Sequence, residues 1–337
     1  MRVIRSVYAV LAVALLVAGC SGSTATSAAR GGHPAASGSA RPPVSASPGH
    51  VTRVSSVLAP FTLPAPVSRP VVYPVGRGLL VVGGLNAADS TTRAILHVDL
   101  GTGSVDPAGR LTVPVHDAGG AVVDGRDLLF GGGSTAVTSA VQDVTSGPSS
   151  RVVSHLPAPR ADLVAISIGN VGYVLGGFDG ARASATILRT RDGLRFTVVG
   201  NVVVPVRYPA VAVSGGSIWL FGGEHDGKPV TDVQRIDLQT GRGSVAGHLP
   251  RPLAHAGAFT LGGAVFVAGG RSGASGTDTV MGFDPATVTF TTAGHLPAAR
   301  SDFGVAVVAG TAYLVGGENP KPVNTIIEVR ARTEEAQ

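Results

Sequence analysis

"IWLFGG", residues 218–223, is a short apolar run closed by two glycines, and the same form recurs along the chain. It returns as "LLVVGG" at 79–84, "DLLFGG" at 127–132, "GYVLGG" at 172–177, "VFVAGG" at 265–270 and "AYLVGG" at 312–317. Counted from the first glycine of each pair, the intervals are 48, 45, 46, 47 and 47 residues. So even a period marks a repeat architecture, in which each unit leaves an apolar face that only the next unit can bury.

The fourth copy shows the internal grammar. "YPAVAV" reads as an apolar strand, "SGGS" as a tight hairpin and "IWLFGG" as a second strand. "EHDGKP" is then a loop, "VTDVQRIDL" a third strand, "QTG" a turn and "GSVAGHLP" a fourth strand. No helical period persists for three turns anywhere after residue 50. The expected fold is all-β, a six-bladed β-propeller with four antiparallel strands per blade. The last unit supplies only three strands before the chain ends. The stretch "RVSSVLAPFTLP" at 53–64 matches the missing fourth strand, so an N-terminal outer strand should close the last blade.

The glycine pairs resemble a phosphate loop, but no helix start follows them. The expected role is architectural, since glycine allows close approach between blades and positive φ where a strand turns away.

The pairs come with "DLGTG" at Asp99, "DLQTG" at Asp237, "DPATV" at Asp284, and "LPAPR" and "LPAAR" ending at Arg160 and Arg300. In this the chain resembles the kelch-repeat β-propellers over essentially all of 51–332. The outer-strand aromatic pair of that family is kept only as Phe283 and Phe290. Val98 and Val105 hold those places in the first unit, and smaller apolar residues are expected to fill the space between blades. Arg160 and Arg300 occupy the kelch arginine position, where a structural tie is expected. His155, His248 and His295 share one slot before Leu-Pro and read as a feature of the fourth strand.

The first fifty residues differ in kind. Arg2 and Arg5, an apolar run at 7–17 and "VAGC" at 17–20 read as a secretion signal ending in a motif that resembles a bacterial lipobox. Residues 1–20 are thus expected to be a lipoprotein signal peptide, with lipidation at Cys20, the chain's only cysteine. Residues 21–50, rich in Ser, Ala, Gly and Pro with no acid, read as a disordered stalk, and 51–337 as the propeller. The expected location is exported, lipid-anchored to the outer face of the cytoplasmic membrane, because acyl chains bury about 0.8 kcal/mol per methylene. Only two lysines, Lys228 and Lys321, and abundant Ala, Gly, Val and Arg resemble an actinobacterial composition.

The pI of 9.9 does not point to nucleic acid. With four basic residues before residue 50, the remainder carries 22 Lys and Arg against 21 Asp and Glu, and no basic run. No nucleic acid partner is expected.

Residues placed fourteen before each first glycine lie where the innermost strands begin: Arg69, Asp117, Asp162, Tyr208, His255 and Asp302. The loops after the glycines add Asn86, Ser134, Asp179, Glu224, His225, Asp226, Arg271, Glu318 and Asn319. These fall on one face, around the central channel, and the expected binding set is the first six with Glu224, Asp226 and Arg271. Glu224, His225, Asp302 and Arg271 are the candidates for any acid-base chemistry. No close-set ligand motif is present, so neither metal nor cofactor is expected.

Three functions fit. The first is a lipid-anchored, monomeric surface module that binds an envelope protein or glycan through the channel mouth. The second is a carbohydrate-modifying enzyme, a mutarotase or one similar to the secreted kelch sialic-acid epimerases, which calls for a ligand-sized pocket and a carboxylate of raised pKa. The third is a structural envelope component, which calls for an apolar patch. A radical oxidase of the galactose oxidase kind is excluded, because its cross-link needs a cysteine and Cys20 lies in the leader. No nucleophile elbow is present, and the first function is the expected one.

Overall fold

A computed structural model describes residues 53–332. The expected signal peptide, Cys20 and the expected stalk lie outside the described residues, as do 51–52 and 333–337. Among the described residues there is no helix. The chain forms a six-bladed propeller of four-stranded antiparallel sheets.

Blade one comprises Val71–Val75, Gly78–Val82, Ala94–Asp99 and Val105–Arg110, from the innermost strand outward. Blade two runs Gly119–Val123, Arg126–Phe130, Ala140–Asp143 and Arg151–His155. Blade three runs Ala161–Ile168, Val171–Phe178, Thr186–Thr190 and Thr197–Asn201. Blade four is Ala210–Ser214, Ser217–Phe221, Asp232–Asp237 and Gly243–His248, close to the limits read from its sequence. Blade five is Gly257–Leu261, Ala264–Ala268, Thr279–Asp284 and Thr289–His295. Blade six takes Gly304–Val308, Thr311–Val315 and Thr325–Arg332 from the C-terminal end of the described chain and Arg53–Thr62 from its N-terminal end. That last strand pairs antiparallel with its neighbour, Ser55 opposite Arg330, so blade six has its outer strand from the far end of the sequence.

Repetition extends to detail. In blades one to five the third and fourth strands slip register at the same place, for example between Ile95 and Leu96 and between Val280 and Met281. Such a bulge adds twist where the blade fans outward. The loop "EHDGKP" is more ordered than expected: Glu224–His225 pairs with Lys228–Pro229 in a small hairpin.

The glycine pairs join the blades. Every first glycine has φ between 59° and 65° and every second between 90° and 104°. The second glycine's N–H donates to a carbonyl at the entry to the next blade, as from Gly84 to Val115 (2.9 Å) and from Gly317 to Val67 (2.8 Å), the latter joining blade six to blade one. A Cβ on the first glycine would collide with that same carbonyl.

Second strands carry apolar side chains on both faces because a blade packs on each side; Ser217–Phe221 and Thr311–Val315 are buried throughout. Between blades four and five lie Trp219, Phe221 and Phe283, with Phe283 4.9 Å from each of the other two rings and 5.0 Å from Phe290. Val98 and Val105 pair across blade one just as Phe283 and Phe290 do across blade five. There Phe61 and Tyr313, large rather than small side chains, complete the packing. The expectation that small residues fill the spaces fails between blades three and four. Ile236 and Gly243 hold the aromatic slots, no larger side chain compensates, and a 220 Å³ crevice remains.

Arg160 and Arg300 are structural ties, as expected. Arg160 donates to Gly176 O (3.3 Å) and Thr186 O (3.0 Å), and Arg300 to Gly316 O (2.7 Å) and Thr325 Oγ1 (3.0 Å). His155, His248 and His295 lie on the exposed outer strands beside Ser139, Thr231 and Asp278.

Candidate functional site

Arg69, Asp117, Asp162, Tyr208, His255 and Asp302 all have φ between 52° and 58°. Left-handed backbone costs a side-chain-bearing residue about 1–2 kcal/mol, so six non-glycine residues there form an unusual set. Hydrogen bonds hold them: Asp162 N–H donates to Asp117 O (2.9 Å), Tyr208 to Asp162 (3.0 Å), His255 to Tyr208 (3.1 Å), Asp302 to His255 (3.1 Å) and Arg69 to Asp302 (2.6 Å). These five bonds run round the channel mouth, and the side chains of Arg69 and Asp117 close the ring, with one chosen side chain per blade. Five of the six precede their innermost strand by two residues, and only Asp162 lies within one.

Asp302 is the hub. Its Oδ1 accepts from His255 Nδ1 (2.6 Å) and lies 3.3 Å from Arg69 Nε; its Oδ2 accepts from Ser301 Oγ (2.8 Å) and lies 3.2 Å from Arg271 Nη1. His255 Nε2 donates to Glu224 (3.1 Å), and Tyr208 stacks on the imidazole with centroids 4.0 Å apart. Arg271 also meets Glu318 (3.0 Å). Across the mouth Arg207 pairs with Asp162 (2.6 Å), donates to Tyr208 Oη (3.1 Å) and lies over the Phe178 ring. Arg69 completes the circuit to Asp117 (3.0 Å).

Burial and partners set the charges. Burial opposes ionisation of Asp302, but the bond and charge of His255, then Arg69 and Arg271, hold its carboxyl below the usual range. Burial lowers His255, yet its bonds to Asp302 and then Glu224 outweigh that and the nearby Arg271 charge and leave it raised. Glu224 is lowered chiefly by its bond to His255. Asp117 is the exception: burial pushes it to about 7, Arg69 opposing only in part while Asp162 and Asp302 add to the rise. Beside it, His116 Nε2 is 3.7 Å from Asp117 Oδ2, and burial and then Arg69 lower the His116 pKa.

The ring encloses a shallow cup of 120 Å³. Along the axis lies a 290 Å³ cavity walled by small and aliphatic residues, such as Gly119, Ala165 and Gly304. To one side a 310 Å³ groove runs between the loops of blades five and six, with Arg271, Ser301 and Glu318 on its wall.

The structure thus brings together Arg69, Asp117, Asp162, Tyr208, His255, Asp302, Glu224 and Arg271. It does not bring in Asp226, whose side chain is 91% exposed, nor His225, which bonds Pro205 O (2.8 Å) and faces Asp226. One residue past Glu224, the small hairpin turns its side chains away from the axis. Asn86 and Asp179 cap their own loops. Arg207 and His116 were missed, and the signal was available: each immediately precedes a ring residue. Among the described residues no group of His, Cys, Asp or Glu is arranged to hold a metal ion.

No family model matches the sequence. Over 159 residues the chain is 33% identical to acyl-CoA-binding domain-containing protein 5 of Arabidopsis thaliana, covering 44% of this chain and 24% of that protein. The chain therefore spans about a quarter of that relative's length. Among solved structures, one described as the structure of YjhT superposes with a TM-score of 0.68 at 16% identity, covering 80% of this chain and 95% of the other. At that identity the likeness is one of fold.

Proposed function

We propose that this chain is a surface-displayed propeller of the kelch kind, of bacterial origin. It is held to the outer face of the cytoplasmic membrane by a lipid on Cys20 and the stalk at 21–50, and its channel mouth binds an envelope protein or a glycan. The supporting observation is the ring: six backbone-locked positions carry a continuous set of donors and acceptors around an open cup. Arg207, Arg271 and Glu224 stand at its edge with side chains 30%, 26% and 21% exposed. Such a cup suits recognition of a projecting polar group better than enclosure of a whole substrate. The exposed apolar residues, among them Val57, Val152, Val198 and Val245, are spread over the outer strands of blades six, two, three and four, which speaks against a structural role through one apolar patch.

The test is a glycan array and a pull-down with residues 51–337, wild type against Asp162→Ala/His255→Ala/Asp302→Ala, with circular dichroism to check folding. Loss of a wild-type ligand in a folded variant is the expected result; unchanged binding rejects the assignment. Because the triple variant strains the network, Glu224→Gln alone serves as a milder second test. Separately, Cys20→Ala should release the protein to the medium.

One observation favours the carbohydrate-modifying reading: Asp117, pushed by burial to about 7, lines the cup, so a carboxyl able to exchange a proton near neutrality faces it. Of the acid-base candidates read from sequence, Glu224 and Asp302 are held ionised and His225 lies aside, which moves that chemistry to Asp117. Under this reading Asp117→Asn abolishes anomer or epimer exchange followed by NMR while glycan binding persists.

A further inference from the structure

The interface between blades four and five is filled by an aromatic cluster, and the one between blades three and four is not. On blade five, Phe283 and Phe290 face each other across the outer strands and pack against Trp219 and Phe221 of blade four. On blade four the corresponding cross-strand pair is Ile236 and Gly243. Ile236 faces Tyr173 and Ile187 of blade three across the 220 Å³ crevice, which opens beside the turn at 237–241, away from the channel mouth, while Gly243 is closed off by Asn201. Its floor is aliphatic: Ile187 and Ile218 are fully buried and Ile236 nearly so.

The polar groups at its edge are what make it more than a packing fault. Tyr173 and Arg189 are directly opposed on adjacent strands of blade three, and both line the crevice. Among the described residues neither side chain has a hydrogen bond or ion pair. Asp237 also lines the crevice but makes no ion pair with Arg189; its Oδ1 accepts from Thr240 N–H and Thr240 Oγ1, both at 2.8 Å. A free guanidinium and a free phenol over an aliphatic floor complement an anion with an apolar body. For scale, an aliphatic cavity of about 150 Å³ holds benzene, so this one has room for a ring and a carboxylate.

We propose that the crevice between blades three and four is a binding site for a small monocarboxylate bearing a single ring. The ring takes the place that Phe283 fills between blades four and five, and the carboxylate pairs with Arg189. The site is separate from the channel mouth and does not depend on the function proposed for it.

The probe is phenylacetate, titrated into residues 51–337 with the isoleucine methyl groups followed by NMR. The expected result is saturable shifts at Ile187, Ile218 and Ile236, affinity about tenfold weaker in Arg189→Ala, and comparable weakening for the neutral analogue 2-phenylethanol. Ile236→Phe fills the slot and should abolish binding while raising the melting temperature; Leu238→Trp, at the half-buried edge, serves if the first variant fails to fold. Equal affinity for the acid and the alcohol, binding that survives the filled slot, or no shift at these methyl groups would each overturn the proposal.

Discussion

Asp117 and Asp302 occupy the same slot of the repeat, share a left-handed backbone with φ 54° and 56°, and have side chains only 6% and 2% exposed. Both flank Arg69. Yet Asp302 is held ionised and Asp117 keeps its proton to about 7. The difference lies in what else reaches them. Asp302 has His255, Arg271 and Ser301 as well, whereas Asp117 has only its share of Arg69 and, at 3.7 Å, a histidine whose pKa burial lowers. Equal burial in equivalent slots therefore leaves charge to be decided by the number of opposing partners.

The largest way to break the contrast is Asp302→Ala. It strands the buried His255 without its closest acceptor, leaves the rim Arg271 with Glu318, and should cost about 3–5 kcal/mol in denaturant unfolding. Asp302→Asn, which keeps the shape, should cost less.

Next comes Asp117→Asn, read through pH. A carboxyl whose folded pKa is raised binds its proton more tightly in the folded state, so its stabilising contribution is complete below the ordinary value of 3.8 and is lost as pH rises through about 7. Wild type should lose about 4 kcal/mol across that window relative to Asp117→Asn. Asp302, with its lowered pKa, contributes stability above 3.8 that is lost only as pH falls through its folded value, outside this window. The raised His255 adds a separate loss that begins only above its ordinary 6.5, which the Asp117 variant should retain. Equal slopes in wild type and variant would contradict the assignment.

Arg69→Ala removes the partner the two acids share. Because the side chain is partly exposed, the cost should be about 2 kcal/mol. The sharper readout is carbon-13 NMR of the carboxyls: Asp117 should titrate well above 7, and Asp302 should remain ionised on His255 and Arg271. The smallest effect belongs to Tyr208→Phe. It deletes the hydroxyl that accepts from Arg207 but leaves the ring stacked on His255, at a cost of about 0.5–1 kcal/mol by thermal unfolding.

Much of the site could be placed from the repeat, because position relative to the glycine pair is a local property. Counting fourteen back from each first glycine finds all six ring residues, Tyr208 included. "EHDG" at 224–227 was separable from the glycines before it, but only its first residue points inward, since side chains alternate along the small hairpin. Arg207 and His116 were within reach of the same counting, one position earlier in the repeat. Their importance was not, because each acts through a partner fixed by three dimensions: Arg207 on Asp162, 45 residues away, and His116 on an Asp117 whose state depends on Arg69. The crevice beside Arg189 was hidden for a similar reason. Small residues in the aromatic slots leave a void only if no other side chain moves in, and between blades six and one Phe61 does.

The sequence by itself determined the number of blades, the strand order within each, the closure by residues 53–62 and the identity of the six ring positions. All of these follow from a period and from glycines that no other residue can replace. Only the tertiary structure decided which acid is charged, which loop residues reach the mouth and which interface stays open. Those outcomes depend on burial and on partners from different blades, brought within a few ångströms only when the ring closes.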